Sequence, residues 1–173
     1  FTPDRRLADG ASISGPDWAL RAVHTPGHLG GHLCFAWQDV LFSGDHVMGW
    51  APSLVSPPDG DMGAYMASLA RLAAGDWRLL LPSHGDPVTA PHARLAELTA
   101  HRKGREAQIL HVLDRNPASL TEVTHQVYRD ISPALLPAAR RNALAHLIDL
   151  AERKRVLADP FPGPDAVWSL AQP

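Results

Sequence analysis

The sequence has a single cysteine, Cys34, in 173 residues, so neither an internal disulfide framework nor a cysteine-rich zinc module is open to it. It has no uninterrupted apolar run of about 18 residues, the length that a membrane-crossing helix requires. It has no excess of one charge: 16 Lys and Arg stand against 18 Asp and Glu, a formal net charge of −2. That balance argues against a protein that works by wrapping nucleic acid in bulk positive charge, and leaves only a local basic face for such a role. A Gly-x-Ser-x-Gly elbow is missing, and with it the usual hydrolytic serine. The opening residues, Phe1-Thr-Pro-Asp-Arg-Arg6, form no signal peptide. With one free thiol, the expected compartment is a reducing cytoplasm. The first residue is Phe1 rather than Met, which suggests a piece of a longer polypeptide.

Hydrophobic residues make up 45% and charged residues 20%, the balance of a folded globular chain with room for one ordinary domain or two small ones. Ten histidines is high for this length, and four of them, His24, His28, His32 and His46, fall in one glycine-rich stretch beside Asp45.

Up to about Pro91, short apolar runs alternate with turn signals. Residues 18–23, 32–37 and 40–43 read as strands, the last two joined by Gln38-Asp39 into an antiparallel hairpin. Residues 61–72 place apolar side chains at 62, 65, 66, 69 and 72, a helical period with Asp61 suited to the first turn. Residues 79–81 read as a short buried strand. This alternation predicts an α/β region with layered architecture. After Pro91 glycine becomes rare and helical periodicity takes over. Helices are predicted over 93–113, with Leu95, Leu98, Ile109, Leu110 and Leu113 inward, over 121–128, and over 133–154, with Leu135, Leu136, Leu144, Leu147, Ile148 and Leu150 inward. Residues 156–157 and 167–170 then read as two short strands around Pro160-Phe-Pro-Gly-Pro164. Three helices followed by a hairpin is the pattern of a winged helix. The expected division is residues 1–100 and 101–173.

Three segments place a candidate metal ligand directly after a predicted strand: Thr25-Pro-Gly-His28, Phe42-Ser-Gly-Asp45 and Pro82-Ser-His84-Gly85. Loops that gather on a rigid scaffold are where function sits. Two imidazoles and a carboxylate suit Zn²⁺, Mn²⁺ or Fe. Taken singly, each has an ordinary reading too: a turn histidine is more often a surface or hydrogen-bonded residue, and Asp45 serves equally well in an Asx-turn.

Taken together, His24-Thr-Pro-Gly-His28-Leu-Gly-Gly-His32, Leu41-Phe-Ser-Gly-Asp45 and Leu81-Pro-Ser-His84-Gly85 resemble the second half of a metallo-β-lactamase-fold hydrolase, in the family's order. The tail, with His101-Arg-Lys-Gly-Arg-Glu-Ala-Gln-Ile109, resembles the winged-helix extension of its lactamase-like branch. The fold this implies is the C-terminal half of an αββα sandwich, an α/β (α+β) arrangement, followed by a small winged-helix domain. The resemblance implies that His28 binds a first metal, His84 a second, and that Asp45 bridges the two, with zinc the expected ion and Mn or Fe as alternatives. It implies hydrolysis of an ester, thioester, lactone or phosphodiester by a metal-bound hydroxide, with Asp45 as the catalytic residue. The family's first-half signature, His-x-His-x-Asp-His, is absent from this sequence. A half-site of three ligands binds metal weakly, so an N-terminal half or a second copy is expected to pack beside it.

The expected partners are a small ester-like substrate or RNA, with no membrane contact and with a homo-oligomer or a packed N-terminal half. The other reading is a non-catalytic binding or dimerisation module with a winged-helix tail. Arg102, Lys103, Arg105, Arg140, Arg141, Arg153, Lys154 and Arg155 either line a nucleic-acid face or lie on a solvated helical one. His24 and His32 orient the His28 turn or pack locally. His46 lines the cleft, Trp50 walls a substrate pocket or plugs the core, and Cys34 is a buried small hydrophobe rather than a nucleophile.

Overall fold

The computed structural model describes residues 2–171. Its first sheet follows chain order: β1 (Ser12–Ser14), β2 (Ala19–His24), β3 (Leu33–Trp37), β4 (Val40–Gly44) and β5 (Leu79–Pro82). Neighbours from β1 to β4 pair antiparallel, and β3 and β4 form the expected hairpin. β5 pairs parallel to β4, because helix α1 (Met62–Ala73) carries the chain back between them. Strands β2, β4 and β5 therefore run in the same direction. Their C-terminal ends, followed by His28, Asp45 and His84, emerge at one edge of the sheet.

Apolar periodicity decides which face is covered. Val23, Cys34, Ala36, Leu41 and Leu80 point to one side, where they meet Met62, Tyr65, Leu69 and Leu72 of α1 and Leu95 and Leu98 of α2 (Pro91–Arg115). Asp61 is the N-cap of α1, one position before the first turn, and its side chain accepts from the Ala64 amide at 2.7 Å. Pro91 opens α2 at a position whose N–H needs no helical partner. On the opposite face, Trp18, Trp37 and Phe42 are 46%, 42% and 39% exposed, and together with Leu20 they line a shallow apolar depression.

Helix α2 runs unbroken through residue 100 and contributes to a second core. There its last third packs with α3 (Leu120–Val127), α4 (Leu136–Glu152) and a small sheet of β6 (Ala118–Ser119), β7 (Val156–Asp159) and β8 (Val167–Leu170), in the order β6-β8-β7. This is the winged-helix arrangement that the sequence pattern predicts, with Trp168 fully buried at its centre. A reciprocal capping box between Ser119 and Glu122 starts α3. Strands β1 and β6 were not expected; at three and two residues they carry too little pattern to register. Leu135, expected inward, is 58% exposed, because a 3₁₀ turn over Pro133–Leu135 rotates it away from the stripe of α4. No helix among the described residues is long and apolar enough to cross a membrane.

His146 of α4 is buried, and neither ring nitrogen has a hydrogen-bond partner. Burial, reinforced by Arg102, His101, Arg153 and Arg105, pushes its pKa down to about 3. The unfolded chain takes up this proton below about pH 6.5 and the folded chain does not, so stability falls as pH drops from neutrality. The limiting slope is roughly 1.4 kcal/mol per pH unit. His146→Leu is expected to flatten the acid side of the stability curve between about pH 6.5 and 4 in urea titrations; an unchanged slope would refute the assignment.

Candidate metal centre

His28 sits in the turn after β2, which Thr25 and Gly27 shape. The Thr25 amide donates to the His32 carbonyl at 3.0 Å, closing the loop. Gly27 has φ +138°, and a Cβ there would meet the Tyr65 backbone at 2.3 Å, so only glycine lets this turn lie on α1. The Nδ1 of His28 is 2.6 Å from the Leu54 carbonyl. A carbonyl can only accept, so Nδ1 carries a proton, and in the neutral ring the lone pair is on Nε2. That lone pair faces Asp45, with Nε2 4.0 Å from Oδ2.

Asp45 follows β4 directly. From the third loop, His84 Nε2 stands 3.6 Å from Asp45 Oδ1, and the Ser83 amide donates to the Gly44 carbonyl at 3.1 Å, which ties the two loops together. The structure thus brings His28, Asp45 and His84 to one place, with side-chain exposures of 24%, 36% and 66%.

Neither imidazole–carboxylate distance is a hydrogen bond. Oδ1 of Asp45 is shielded from solvent with no partner at all. Donor atoms that converge without bonding one another, one ring fixed with its lone pair inward and one carboxylate oxygen orphaned, fit a cation site. The fit is partial: among the described residues no three His, Cys, Asp or Glu side chains form a complete metal-holding group.

The flanking residues separate cleanly. His32 lies behind the site, its Nδ1 2.8 Å from Thr25 Oγ1 and its ring edge-on to His28 at 6.4 Å. Burial lowers its pKa. His24 orients the same turn through a 2.8 Å contact of Nε2 with the Gly30 carbonyl. His46 does not line the cleft. It is wholly buried, packs tilted against the Tyr65 ring with centroids 4.6 Å apart, and burial pushes its pKa down to about 3. Cys34 is buried as expected, and burial pushes its thiol up to about 11, which rules it out as a nucleophile near neutral pH. Trp50 does not plug the core: it is 71% exposed and leans on Gly85, next to His84.

Sequence reasoning missed Ser53, Leu54, Arg102 and Asn142. Arg102, expected on a surface, is only 2% exposed and donates to the Ser53 carbonyl and to Asn142 Oδ1. Its neighbours Arg105 and Arg153 are engaged as well, Arg105 over the Tyr128 ring and Arg153 with Glu106 and Asp149.

Gly85 has φ +88°, and a Cβ there would lie 2.6 Å from Trp50 Cδ1. Gly85→Ala is expected to destabilise the fold by about 1–2 kcal/mol in urea denaturation. Gly30→Ala, at a site with nothing within 4 Å of the new methyl, serves as the silent control. Equal effects would show that the left-handed turn beside His84 is not under constraint.

Comparison with known proteins bears on the family and the fold. The Metallo-beta-lactamase superfamily profile matches residues 2–84, and the Beta-lactamase associated winged helix domain matches residues 119–160. A lactamase-like protein, adaB, of Aspergillus niger is 36% identical over 125 residues, covering 69% of this chain and 38% of the relative. An atrochrysone carboxyl ACP thioesterase of Emericella nidulans is 36% identical over 138 residues, covering 78% of this chain and 43% of the relative. The crystal structure of a beta-lactamase domain protein from Burkholderia ambifaria superposes with a TM-score of 0.85 at 25% identity, over 99% of this chain and 54% of that one. The chain thus spans about half the length of the proteins it matches, or less. It belongs to the metallo-β-lactamase superfamily and carries that superfamily's associated winged helix.

Proposed function

We propose that the protein is a metal-dependent hydrolase of acyl thioesters or related esters, with His28, Asp45 and His84 as the metal ligands this chain contributes. The observation that carries this reading is the division of the Asp45 carboxylate, which turns Oδ2 to His28 and Oδ1 to His84. With one oxygen turned to each ring, the carboxylate would be available to a cation held by His28 and to one held by His84. Zinc suits the nitrogen and oxygen donors best, and Mn or Fe accept the same set. The thioesterase name of the Emericella nidulans relative supports a thioester among the substrates open to this scaffold; the fold alone does not choose among them.

A metal held there supplies a Lewis acid for the substrate carbonyl and activates water for attack. The chain's own residues do the positioning. The Leu54 carbonyl holds His28 in the tautomer that presents Nε2. The backbone bond from Ser83 to Gly44 keeps the His84 loop against Asp45. Trp50 lies against the Gly85 turn, next in sequence to His84. The Cys34 thiol stays protonated and buried, out of the reaction, and a reducing cytoplasm suits it.

The full-length protein, with further ligands packed beside this half-site, is expected to carry zinc or manganese by mass spectrometry. Asp45→Asn is expected to lose both metal and thioester hydrolysis, followed as released thiol, while its circular dichroism stays unchanged. Metal at background in the wild type, together with a concentration-dependent oligomer or an RNA complex, would favour the non-catalytic module. Engagement of Arg102, Arg105 and Arg153 within the chain supports a small-molecule substrate over RNA.

The apolar face of the first sheet supports a packed partner, either a second copy or an N-terminal half. Trp18, Trp37 and Phe42 form a contiguous patch of the kind soluble surfaces rarely leave bare. Trp37→Lys is expected to shift sedimentation of the 173-residue chain toward monomer. If association is unaffected, that face is not the contact.

A further inference from the structure

The segment 53–55 touches both candidate ligands on one side and the winged-helix side of the chain on the other. Ser53 Oγ donates to the carbonyls of Asp45 and His46, the latter at 3.0 Å. The Leu54 carbonyl receives His28 Nδ1 at 2.6 Å. The Val55 amide donates to Asn142 Oδ1 at 3.0 Å, and Asn142 belongs to α4. Behind the strap, Arg102 of α2 donates through Nη2 to the Ser53 carbonyl and through Nη1 to the same Asn142 oxygen at 3.1 Å. Three consecutive residues thus each make one decisive contact: with Asp45, with His28, and with α4.

The guanidinium of Arg102 is the costly part of this arrangement. It is 2% exposed, no carboxylate faces it among the described residues, its Nε has no partner, and its only further support is the Tyr65 ring at 5.1 Å. Tyr65 in turn donates its hydroxyl to the His46 carbonyl at 3.1 Å. A buried cation without a counter-ion carries a large desolvation penalty, and an apolar side chain would pack there more cheaply. What Arg102 provides that an apolar residue cannot is two donors aimed at two fixed acceptors.

We propose that Arg102 and Asn142 are positioning residues for the metal centre: by clamping residues 53–55 they fix the His28 tautomer and the backbone of Asp45, so that the winged-helix side of the chain sets metal affinity. This rests on the metal-ligand reading above. Partners of this kind, one step removed from the metal, change affinity by about 10- to 100-fold when lost.

The test uses Asn142→Ala and Asn142→Asp in the purified protein, with cobalt(II) as the probe ion. Alanine suits a helix and removes the shared acceptor; aspartate keeps an oxygen for both Val55 and Arg102. Cobalt affinity is expected to fall by about 10- to 100-fold in Asn142→Ala, with a changed visible spectrum, and to stay near the wild-type value in Asn142→Asp. In the metal-free protein, nitrogen-15 NMR of His28 is expected to show the proton on Nδ1 in the wild type and Asn142→Asp, and a mixture of tautomers in Asn142→Ala. Wild-type affinity together with an unmixed His28 tautomer in Asn142→Ala overturns the proposal. If the wild type binds no cobalt, the metal reading fails by itself, and the His28 tautomer in the three metal-free proteins still supports or overturns the clamp.

Discussion

The parallel pairing of β4 with β5 is the constraint on which the site depends. An antiparallel fifth strand would send the loop after Leu81 to the far edge of the sheet, and His84 would lie a strand length from Asp45. The pairing is parallel because residues 45–61 and α1 carry the chain back across one face before β5 begins. The same crossover buries the apolar stripe of α1 against the sheet, so the element that makes the pairing possible also supplies most of the first core. Fold stability and ligand convergence therefore share one cause. Ligand sites at the carboxyl ends of parallel strands are the general rule for open α/β sheets, and the loops carrying His28, Asp45 and His84 lie at such ends, with one parallel pair among the described strands.

Much of this was legible in the sequence because the informative signals are local. The hairpin at Gln38-Asp39, the helical period from Met62 to Leu72, and the break in glycine usage near Pro91 each depend on residues close in sequence. So do the three ligand loops, where a histidine or aspartate follows a strand and a glycine lies close by. The clamp was not legible, and the reason is physical. Arg102 contacts Ser53 across 49 positions and Asn142 across 40, and neither partner carries a pattern that marks it as an acceptor. An arginine on a helix beside Lys103 and Arg105 reads as solvated, and only tertiary packing against Tyr65 turns it inward. Leu135 fails in the opposite direction: its position matches the inward stripe, and the 3₁₀ turn before α4 rotates it out. Of the two readings of Trp50, plugging the core fails: its size suggests burial, yet it lies exposed against the turn at Gly85.

Electrostatics around the site are arranged by exclusion. His46 and His146 are held neutral by burial, each with a pKa pushed down to about 3, which Arg102 helps to depress. With those two imidazoles neutral, Arg102 is the fixed cation of the interior, and its hydrogen bonds go to neutral oxygens of Ser53 and Asn142. The Asp45 carboxylate is therefore not neutralised by a neighbouring guanidinium. Its two oxygens stay turned to His28 and His84 at the sheet edge.

The two exposed features of the chain then have a common logic. His84 is 66% exposed, in a setting where water screens the field of a bound ion, and the far face of the sheet leaves Trp18, Trp37 and Phe42 wet. A layer packed on that face would bury the aromatic patch and, reaching along the sheet to the opposite end of the strands, bring further groups toward the loops that hold His28, Asp45 and His84. Covering the sheet and completing the ligand sphere would then be one event, in which apolar burial supplies the free energy for closing a polar site. On this view the clamp of Arg102 and Asn142 has a distinct part: it pre-forms the half of the site that belongs to this chain, so that closure need order only the other half.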